Sequence, residues 1–166
     1  MEQNIKHRLF AGTVIFGMTL IPLSLLAANT EIEQIMKDRF EKFEQMGEAY
    51  DEINREVELK NPDYALIKKH AIQIEVWANE GLQWFPIGSG PESGIKTSTK
   101  AEVWSKPAKF RALQDEFIIE ARELKAISIS GPLEKLSAQF KKTGEVCSEC
   151  HELYRKKASL FSIFGN

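Results

Sequence analysis

Near its end the sequence reads Cys147-Ser148-Glu149-Cys150-His151, and this stretch decides how the rest of the chain is interpreted. C-x-x-C-H is the attachment pattern of a c-type haem, and the chain has only these two cysteines. Residues three apart share one face of a helix, so both thiols can form thioether bonds to the two vinyl groups of one porphyrin. His151 then offers a neutral imidazole to the iron, which makes it the predicted metal ligand.

The motif has three other interpretations: a structural disulfide, a thioredoxin-like redox pair and half of a zinc site. A zinc site needs about four ligands, and the only other histidines of the chain are His7 and His70. A redox C-x-x-C is expected beside a βαβ pattern, which this sequence lacks. Covalent haem attachment is therefore the interpretation that the sequence favours.

The N-terminus has the pattern of a secretory signal peptide. Lys6-His7-Arg8 is basic, residues 9 to 26 are almost wholly apolar, and Leu26-Ala27-Ala28 supplies small residues for cleavage. We therefore predict a signal peptide over residues 1–28 and one domain over residues 29–166. Bacteria attach haem to C-x-x-C-H outside the cytoplasm, so the predicted location is the periplasm, without membrane attachment after cleavage. A retained membrane anchor is the alternative.

The charge balance bears on the expected partners. The chain has 22 Lys and Arg residues against 24 Asp and Glu residues, a formal net charge of −2. Nucleic-acid binding would require a basic excess, so we expect no nucleic-acid partner. Lysines near the motif could attract an acidic redox partner protein, although a solvated helical face is the commoner meaning of such lysines: Lys141, Lys142, Lys156 and Lys157.

From residue 30 onwards the sequence has the periodicity of helices. Thr30-Glu31-Ile32-Glu33 is a capping box that predicts a helix start, and Asn61-Pro62 predicts the N-cap and first turn of a second helix. Ser105 with Pro107 predicts a third helix start, and Ser130-Gly131-Pro132 separates the third helix from a fourth. Apolar residues recur at steps of three and four: Ile32, Ile35, Met36, Phe40, Phe43, Met46, Tyr50, Ile53 and Val57 in the first helix; Leu66, Ile67, Ala71, Ile74, Trp77, Ala78 and Leu82 in the second; Phe110, Leu113, Phe117, Ala121 and Leu124 in the third; Leu133, Leu136, Phe140, Cys147, Cys150, His151, Tyr154 and Ala158 in the fourth.

The fold class follows from these four segments. No segment alternates as a strand does, and the links are short except for residues 83 to 105, which are rich in glycine and proline. A connection of that length indicates either a function or a crossing between helices. The predicted fold is all-α, an antiparallel four-helix bundle that carries one covalently attached haem c.

With these features the chain resembles the cytochrome c′ family, the class II c-type cytochromes. The resemblance rests on a haem motif in the last of four helices and on the string from Cys147 to Lys157, which matches the family ending C-x-x-C-H-x-x-Y-R-K. Trp84 before the glycine-rich loop and Glu102-Val103-Trp104 at the third helix agree with it. The resemblance also implies a homodimer formed through the first two helices.

The family resemblance adds candidate site residues. Members typically bind haem iron through the proximal histidine alone and place an apolar side chain of the first helix over the sixth position. That residue maps to Phe40, which follows Arg39; its simpler interpretation is core packing. Arg155, four residues after His151, is expected on the same helix face near the proximal pocket, or on the surface as an ion-pair partner. The remaining residues expected to contact the haem are Met36, Phe43, Trp84 and Ile87.

The predicted function follows from an iron that only His151 holds. Such an iron is high-spin and five-coordinate, and the bulky apolar group opposite favours strongly binding diatomic gases, nitric oxide first and carbon monoxide second. Stable oxygen binding is disfavoured because no distal donor is evident. A peroxidase would need a distal acid–base group, so we expect no enzyme activity.

Two other functions stay open at this point. The first is a low-spin electron carrier in which Met36, one helical turn or about 6 Å along the axis from Phe40, is the sixth ligand of the iron. The second is an interaction protein in which the haem is only structural. The spectrum of the reduced protein separates the first of these from a gas-binding haem, and carbon monoxide binding would disfavour the second.

Overall fold

The computed structural model describes residues 23–157, with side chains from residue 30 onwards. Residues 1–22 of the predicted signal peptide lie outside the described residues. Within the described part, no helix is both long enough and apolar enough to cross a membrane. The helices in this part are α1 (Leu23–Val57), α2 (Tyr64–Glu80), the short α3 (Glu102–Ser105), α4 (Pro107–Ser130) and α5 (Leu133–Tyr154).

The four long helices form an antiparallel bundle, as the sequence predicts. In each neighbouring pair of helices, residues further along one helix contact residues closer to the start of the other, as antiparallel packing requires. The contacts that show this order are Lys42–Glu80 and Asp63–Glu56 for α1 and α2, Gln114–Ala78 and Lys125–Glu75 for α2 and α4, and Gln139–Glu120 and Tyr154–Phe110 for α4 and α5. α1 is antiparallel to α2, and α4 is antiparallel to both α2 and α5. α1 and α5 therefore also run in opposite directions.

The core of the bundle is formed by the predicted apolar stripes. Ile53, Ile67, Leu124 and Leu136 are fully buried, one from each long helix. Burying a side chain of this size contributes roughly 1.5–3 kcal/mol, so this layer is a main source of the stability of the bundle. A second apolar cluster lies between α3, α4 and the end of α5, and it contains Val103, Phe110, Leu113 and Tyr154. It packs directly against Cys150 and so connects the haem motif to the core.

Two predicted helix starts are wrong. The first helix begins at Leu23 and not at the capping box, because Leu23 to Ala28 are leucines, alanines and a serine that continue a helix without strain. The second begins at Tyr64, with Asp63 rather than Asn61 as its N-cap. The Asp63 carboxylate accepts hydrogen bonds from the backbone N–H groups of Ala65 at 2.9 Å and Leu66 at 3.1 Å, and an acidic cap also favours the positive end of the helix dipole.

The long connection between α2 and α4 spans residues 81–106 and is well structured. It contains two 3₁₀ turns, Gly81–Trp84 and Pro91–Ser93, and then α3. Gly88 and Gly94 have φ angles of 88° and 75°, which side-chain-bearing residues rarely adopt. This connection therefore turns back over one end of the bundle, where it meets both α1 and the end of α5.

Candidate haem site

The motif lies in the last two turns of α5. Cys147 and Cys150 are half-buried free thiols, and the adjacent His151 is exposed. The structure does not support the disulfide interpretation, because both cysteines are free. It does not support the zinc interpretation either, because no three His, Cys, Asp or Glu residues between positions 23 and 157 lie close enough together to hold a metal ion.

A cavity of about 780 Å³ opens between α1 and α5 beside the motif. Small-molecule sites have volumes of roughly 300–1,000 Å³, so this space suits a bound group larger than a substrate fragment. Its walls include Cys147 and His151 from α5 and Tyr50 and Asn54 from α1. Cys150, one helical turn from Cys147, does not line this cavity and packs against the second apolar cluster. Two thiols and an imidazole in the last turns of one helix are the donors that a covalently attached haem requires, so the residue types fit the group.

Tyr50 fixes how α1 faces α5. Its ring stacks on Phe140 with centroids 4.1 Å apart, and its hydroxyl donates a hydrogen bond to the backbone carbonyl of Phe140 at 3.2 Å. A Cβ atom at Gly144 would collide with the Tyr50 hydroxyl, so only glycine permits this close approach. Burial, with smaller contributions from neighbouring acidic groups, raises the pKa of Tyr50 to about 12, which keeps the phenol neutral.

The surroundings shift the pKa values of all three donor side chains of the motif. Burial, then the neighbouring Cys150, raises the pKa of Cys147 to about 12, while burial, then Glu149, raises that of Cys150 to about 11. Partial burial, followed by the positive charge of Arg155, lowers the pKa of His151. Both effects on His151 favour the neutral imidazole, which is the form that binds a metal.

Helix geometry shows which α1 residues lie opposite the motif. Phe43 is seven residues before Tyr50, so it lies nearly two turns along and only about 20° away from the same face. Tyr50 is level with Phe140 of α5, which runs antiparallel to α1. Cys147 lies seven residues beyond Phe140, so Phe43 is level with Cys147. Phe40 is level with Cys150 but is rotated by about 80° from Tyr50.

The exposed fractions agree with this difference. The Phe40 side chain is 61% exposed and the Phe43 side chain 38%. Phe43 also makes an edge-on ring contact with Trp84, with centroids 5.2 Å apart. Neither phenylalanine is among the residues that line the cavity, so the assignment of Phe40 to the distal position stays a prediction. Phe43 is a second candidate, because its face of α1 is closer to that of Tyr50.

Met36 points in another direction. It is buried, and its Sδ atom accepts a hydrogen bond from the Ser93 hydroxyl at 3.7 Å. The thioether therefore contacts the α2–α4 connection. Met36 is also not among the residues that line the cavity together with His151.

Arg39 is the residue whose role the sequence did not predict. It is only 4% exposed, yet it carries a charge. Its guanidinium donates hydrogen bonds to the Trp84 carbonyl at 3.2 Å, the Ser89 hydroxyl at 3.0 Å and the Ser89 carbonyl at 2.9 Å. It also lies over the Phe85 ring, 4.8 Å from the centroid. Arg39 thus ties the connection to α1. The sequence signal for its burial was its position three residues after the apolar Met36, on the same face of the helix.

Desolvation by burial lowers the pKa of Arg39, and the negative charge of Glu92 opposes this shift. Arginine stays protonated in proteins because its ordinary pKa lies far above neutrality. The buried guanidinium is therefore stabilised mainly by the three accepting oxygen atoms and by the neighbouring ring.

The structure separates Trp84 from Ile87, the other two predicted contacts. Trp84 is 5% exposed and belongs to the main core cluster. Its indole Nε1–H is a buried donor that has no hydrogen-bond partner among the described residues, so a polar atom of a bound group could accept from it. Ile87 is 92% exposed at the outer side of the connection. Its contact with haem stays a prediction.

Arg155 does not lie on a helix, so the predicted placement one turn beyond His151 on the same helix face is wrong. The last residue of α5 is Tyr154, and Arg155 has an extended backbone with φ −109° and ψ 133°. The physical reason is a backbone bridge between Thr99 and Arg155. Arg155 is nevertheless close enough for its charge to lower the pKa of His151, and its expected proximity to the proximal side of the haem stays a prediction.

Comparison with known proteins adds family information to this geometry. A family model described as Cytochrome C' matches residues 34–155. Cytochrome c′ of Alcaligenes xylosoxydans xylosoxydans is 38% identical over 76 residues, which are 46% of this chain and 58% of that protein. This chain thus aligns with little more than half the length of that relative.

Solved structures of cytochromes c′ share the fold. One, described as having an unusual ligand-controlled dimer dissociation, has a TM-score of 0.70 at 25% identity, covering 76% of this chain and 97% of its own. A nitric oxide complex of a leucine-to-alanine mutant from Alcaligenes xylosoxidans has a TM-score of 0.69 at 27% identity, with the same coverage of both chains.

Proposed function

Because the family model covers residues 34–155, this chain belongs to the cytochrome c′ family, and we propose that it binds nitric oxide and carbon monoxide at a five-coordinate, high-spin haem. The family carries covalently attached haem c, and in this chain the haem is attached through Cys147 and Cys150. When bound, the haem supplies an iron with an open coordination position. His151 is the only axial ligand in this proposal.

The observation that carries the proposal is the apolar face of α1 opposite the motif. Phe43 lies on the face that Tyr50 directs toward α5, level with Cys147, and a phenyl group cannot coordinate iron. Met36 is occupied by its contact with Ser93, which argues against the low-spin alternative with a methionine ligand. The nitric oxide complex of the solved relative supports the choice of ligand.

The same apolar face favours small neutral ligands. A gas that bound on this side would have to displace the Phe43 phenyl group, so only ligands that bond strongly to iron would compensate for the lost packing. Oxygen needs a hydrogen-bond donor beside it to be bound stably. The donors that line the cavity from α1, Tyr50 and Asn54, lie at least seven residues, or about 10 Å, further along the helix than Phe43.

The remaining parts of the proposal concern location and assembly. We propose a periplasmic protein without enzymatic turnover that can also exchange electrons with a redox partner protein. We also propose a homodimer formed through α1 and α2. The ligand-controlled dimer dissociation named for one solved relative supports a dimeric state, and Ile72 and Val76 of α2 are exposed apolar residues available for it.

An optical titration of the reduced, haem-loaded protein with carbon monoxide and nitric oxide tests the proposal. We expect both gases to bind. Phe43→Ala should raise the carbon monoxide affinity roughly tenfold, since about 1.4 kcal/mol of displaced packing corresponds to that factor. Phe40→Ala is the matched control and should change the affinity by less than about threefold. If Phe40→Ala raised the affinity more than Phe43→Ala, the distal role would return to Phe40. If neither gas bound, the proposal would be overturned.

A further inference from the structure

The end of α5 has no local cause in the sequence. The residues that follow Tyr154 are Arg155-Lys156-Lys157-Ala158-Ser159, without a glycine or proline. Arginine, lysine and alanine all favour helix, and cations near a helix C-terminus are stabilising. The sequence therefore predicts that α5 continues past Arg155. It stops at Tyr154 instead, so an interaction from outside the helix ends it.

That interaction is a short antiparallel pairing, which we name the clasp and define as residues 97–100 with residues 154–156. The Lys100 backbone N–H donates to the Tyr154 carbonyl at 2.8 Å, and the Lys156 N–H donates to the Ser98 carbonyl at 2.7 Å. A helix that continued would need the Lys156 N–H for the carbonyl four residues earlier. The clasp takes this donor for Ser98 and so competes directly with one more turn of helix.

Two side chains strengthen the clasp. The Lys100 ammonium donates to the Glu152 carbonyl at 2.8 Å, and the Lys156 ammonium donates to the Thr97 carbonyl at 3.2 Å. The Glu152 carbonyl is one of the last four of α5, which have no partner within a helix. The side chain of Lys100 therefore satisfies the helix end that its backbone helps to create.

The clasp is anchored on a rigid part of the connection. The Trp104 indole N–H donates to the carbonyls of Phe85 at 3.2 Å and Pro86 at 3.1 Å, which joins the start of the connection to its end. Arg39 holds Ser89 from α1. Residues 97–100 lie between these two anchored parts, so their position relative to α5 is set by the bundle and not by the loop alone.

We propose that the clasp, through the Lys100 N–H and the Ser98 carbonyl, is the device that ends α5 and positions Arg155 beside the proximal side of the haem. This inference rests on the proposed function. An extended residue advances about 3.3 Å along the chain, whereas a helical one advances about 1.5 Å. Without the clasp, Arg155 would join the helix and its guanidinium would move relative to His151. Lys100 and Ser98 are thus positioning residues for ligand access.

Two proline variants form a matched pair for the test. Lys100→Pro and Lys156→Pro each remove one N–H of the clasp. Only Lys100→Pro leaves Arg155 free to become helical, because a residue that precedes proline is biased toward extended conformations. Lys100→Ala keeps the N–H and removes only the side-chain bond to Glu152. All are measured as haem-loaded protein.

Crystal structures and nitric oxide titrations give the two readouts. In Lys100→Pro we expect helical φ and ψ angles at Arg155 and a change of about threefold or more in nitric oxide affinity. In Lys156→Pro and Lys100→Ala we expect an extended Arg155 and an affinity within about twofold of the wild type. An extended Arg155 in Lys100→Pro overturns the proposal, and so does an unchanged affinity despite a helical Arg155.

The test separates this inference from the proposed function. If the wild-type protein binds neither gas, the proposed function fails, while the backbone of Arg155 in the variants still shows whether the clasp ends α5. If Lys100→Pro cannot be purified in folded form, Lys156→Pro decides alone: an affinity shift of threefold or more with Arg155 still extended contradicts a role that acts through the Arg155 backbone.

Discussion

Replacing Arg39 by methionine is the perturbation whose effect on stability can be worked out in most detail. The wild-type guanidinium donates three hydrogen bonds to Trp84 and Ser89 and packs on the Phe85 ring. Methionine keeps most of the apolar stem but none of the donors. The carbonyls of Trp84 and Ser89 then lose their side-chain donor in a buried region.

The expected cost follows from these contacts. A buried acceptor left without a partner costs about 1–3 kcal/mol, and two such carbonyls together with the lost ring contact would cost about 4 kcal/mol or more. Relief from burying a charge offsets part of this loss. We therefore predict that Arg39→Met lowers the free energy of unfolding by about 3 kcal/mol and the melting temperature by roughly 10 °C.

Urea unfolding of the haem-loaded protein measures this change, with the denaturant slope compared between the variants. Arg55→Met is the matched control, because Arg55 is exposed and its ion pair is with Glu52 on its own helix. Arg55→Met should change the free energy of unfolding by less than about 0.5 kcal/mol. If Arg39→Met costs less than about 1 kcal/mol, Arg39 is not the residue that ties the connection to α1.

Three further predictions address other parts of the site. Gly144→Ala should destabilise the protein by about 1–3 kcal/mol in the same unfolding assay, because the added methyl group collides with the Tyr50 hydroxyl; a neutral effect would show that Tyr50 moves aside freely. Met36→Ala should leave the visible spectrum of the reduced protein unaltered, whereas conversion from low to high spin would establish Met36 as an iron ligand. In folded protein prepared without haem, burial raises the pKa of Cys147 to about 12 and that of Cys150 to about 11. Alkylation of these thiols at pH 8 should therefore be at least roughly a hundredfold slower in the folded protein than in urea, and it should accelerate as the pH rises toward these values. Equal rates in the folded and unfolded protein would contradict the raised pKa of both thiols.

The four helices and the haem motif could be predicted because their signals are local. The stripe that contains Ile53, or the one that contains Leu124, repeats at helical spacing whatever its partner is. The motif likewise needs only residues 147–151 to be recognised. These features depend on neighbours in sequence, and a single chain contains all of that information.

The features that could not be predicted depend on contacts between distant segments. The burial of Arg39 becomes visible only when Ser89, fifty residues away, is placed beside it. The end of α5 at Tyr154 is set by residues 97–100, against the local preference of Arg155 and Lys156 for helix. The choice between Phe40 and Phe43 requires the orientation of α1 toward α5, which the stacking of Tyr50 on Phe140 supplies.

The central claim is a covalently attached haem whose iron has His151 as its only axial ligand. The visible absorption spectrum of the exported, purified protein, reduced and free of added gas, tests it most directly. We predict the broad, unsplit bands of a high-spin haem. Sharp, split low-spin bands would contradict the single axial ligand, and a colourless protein would contradict the haem itself.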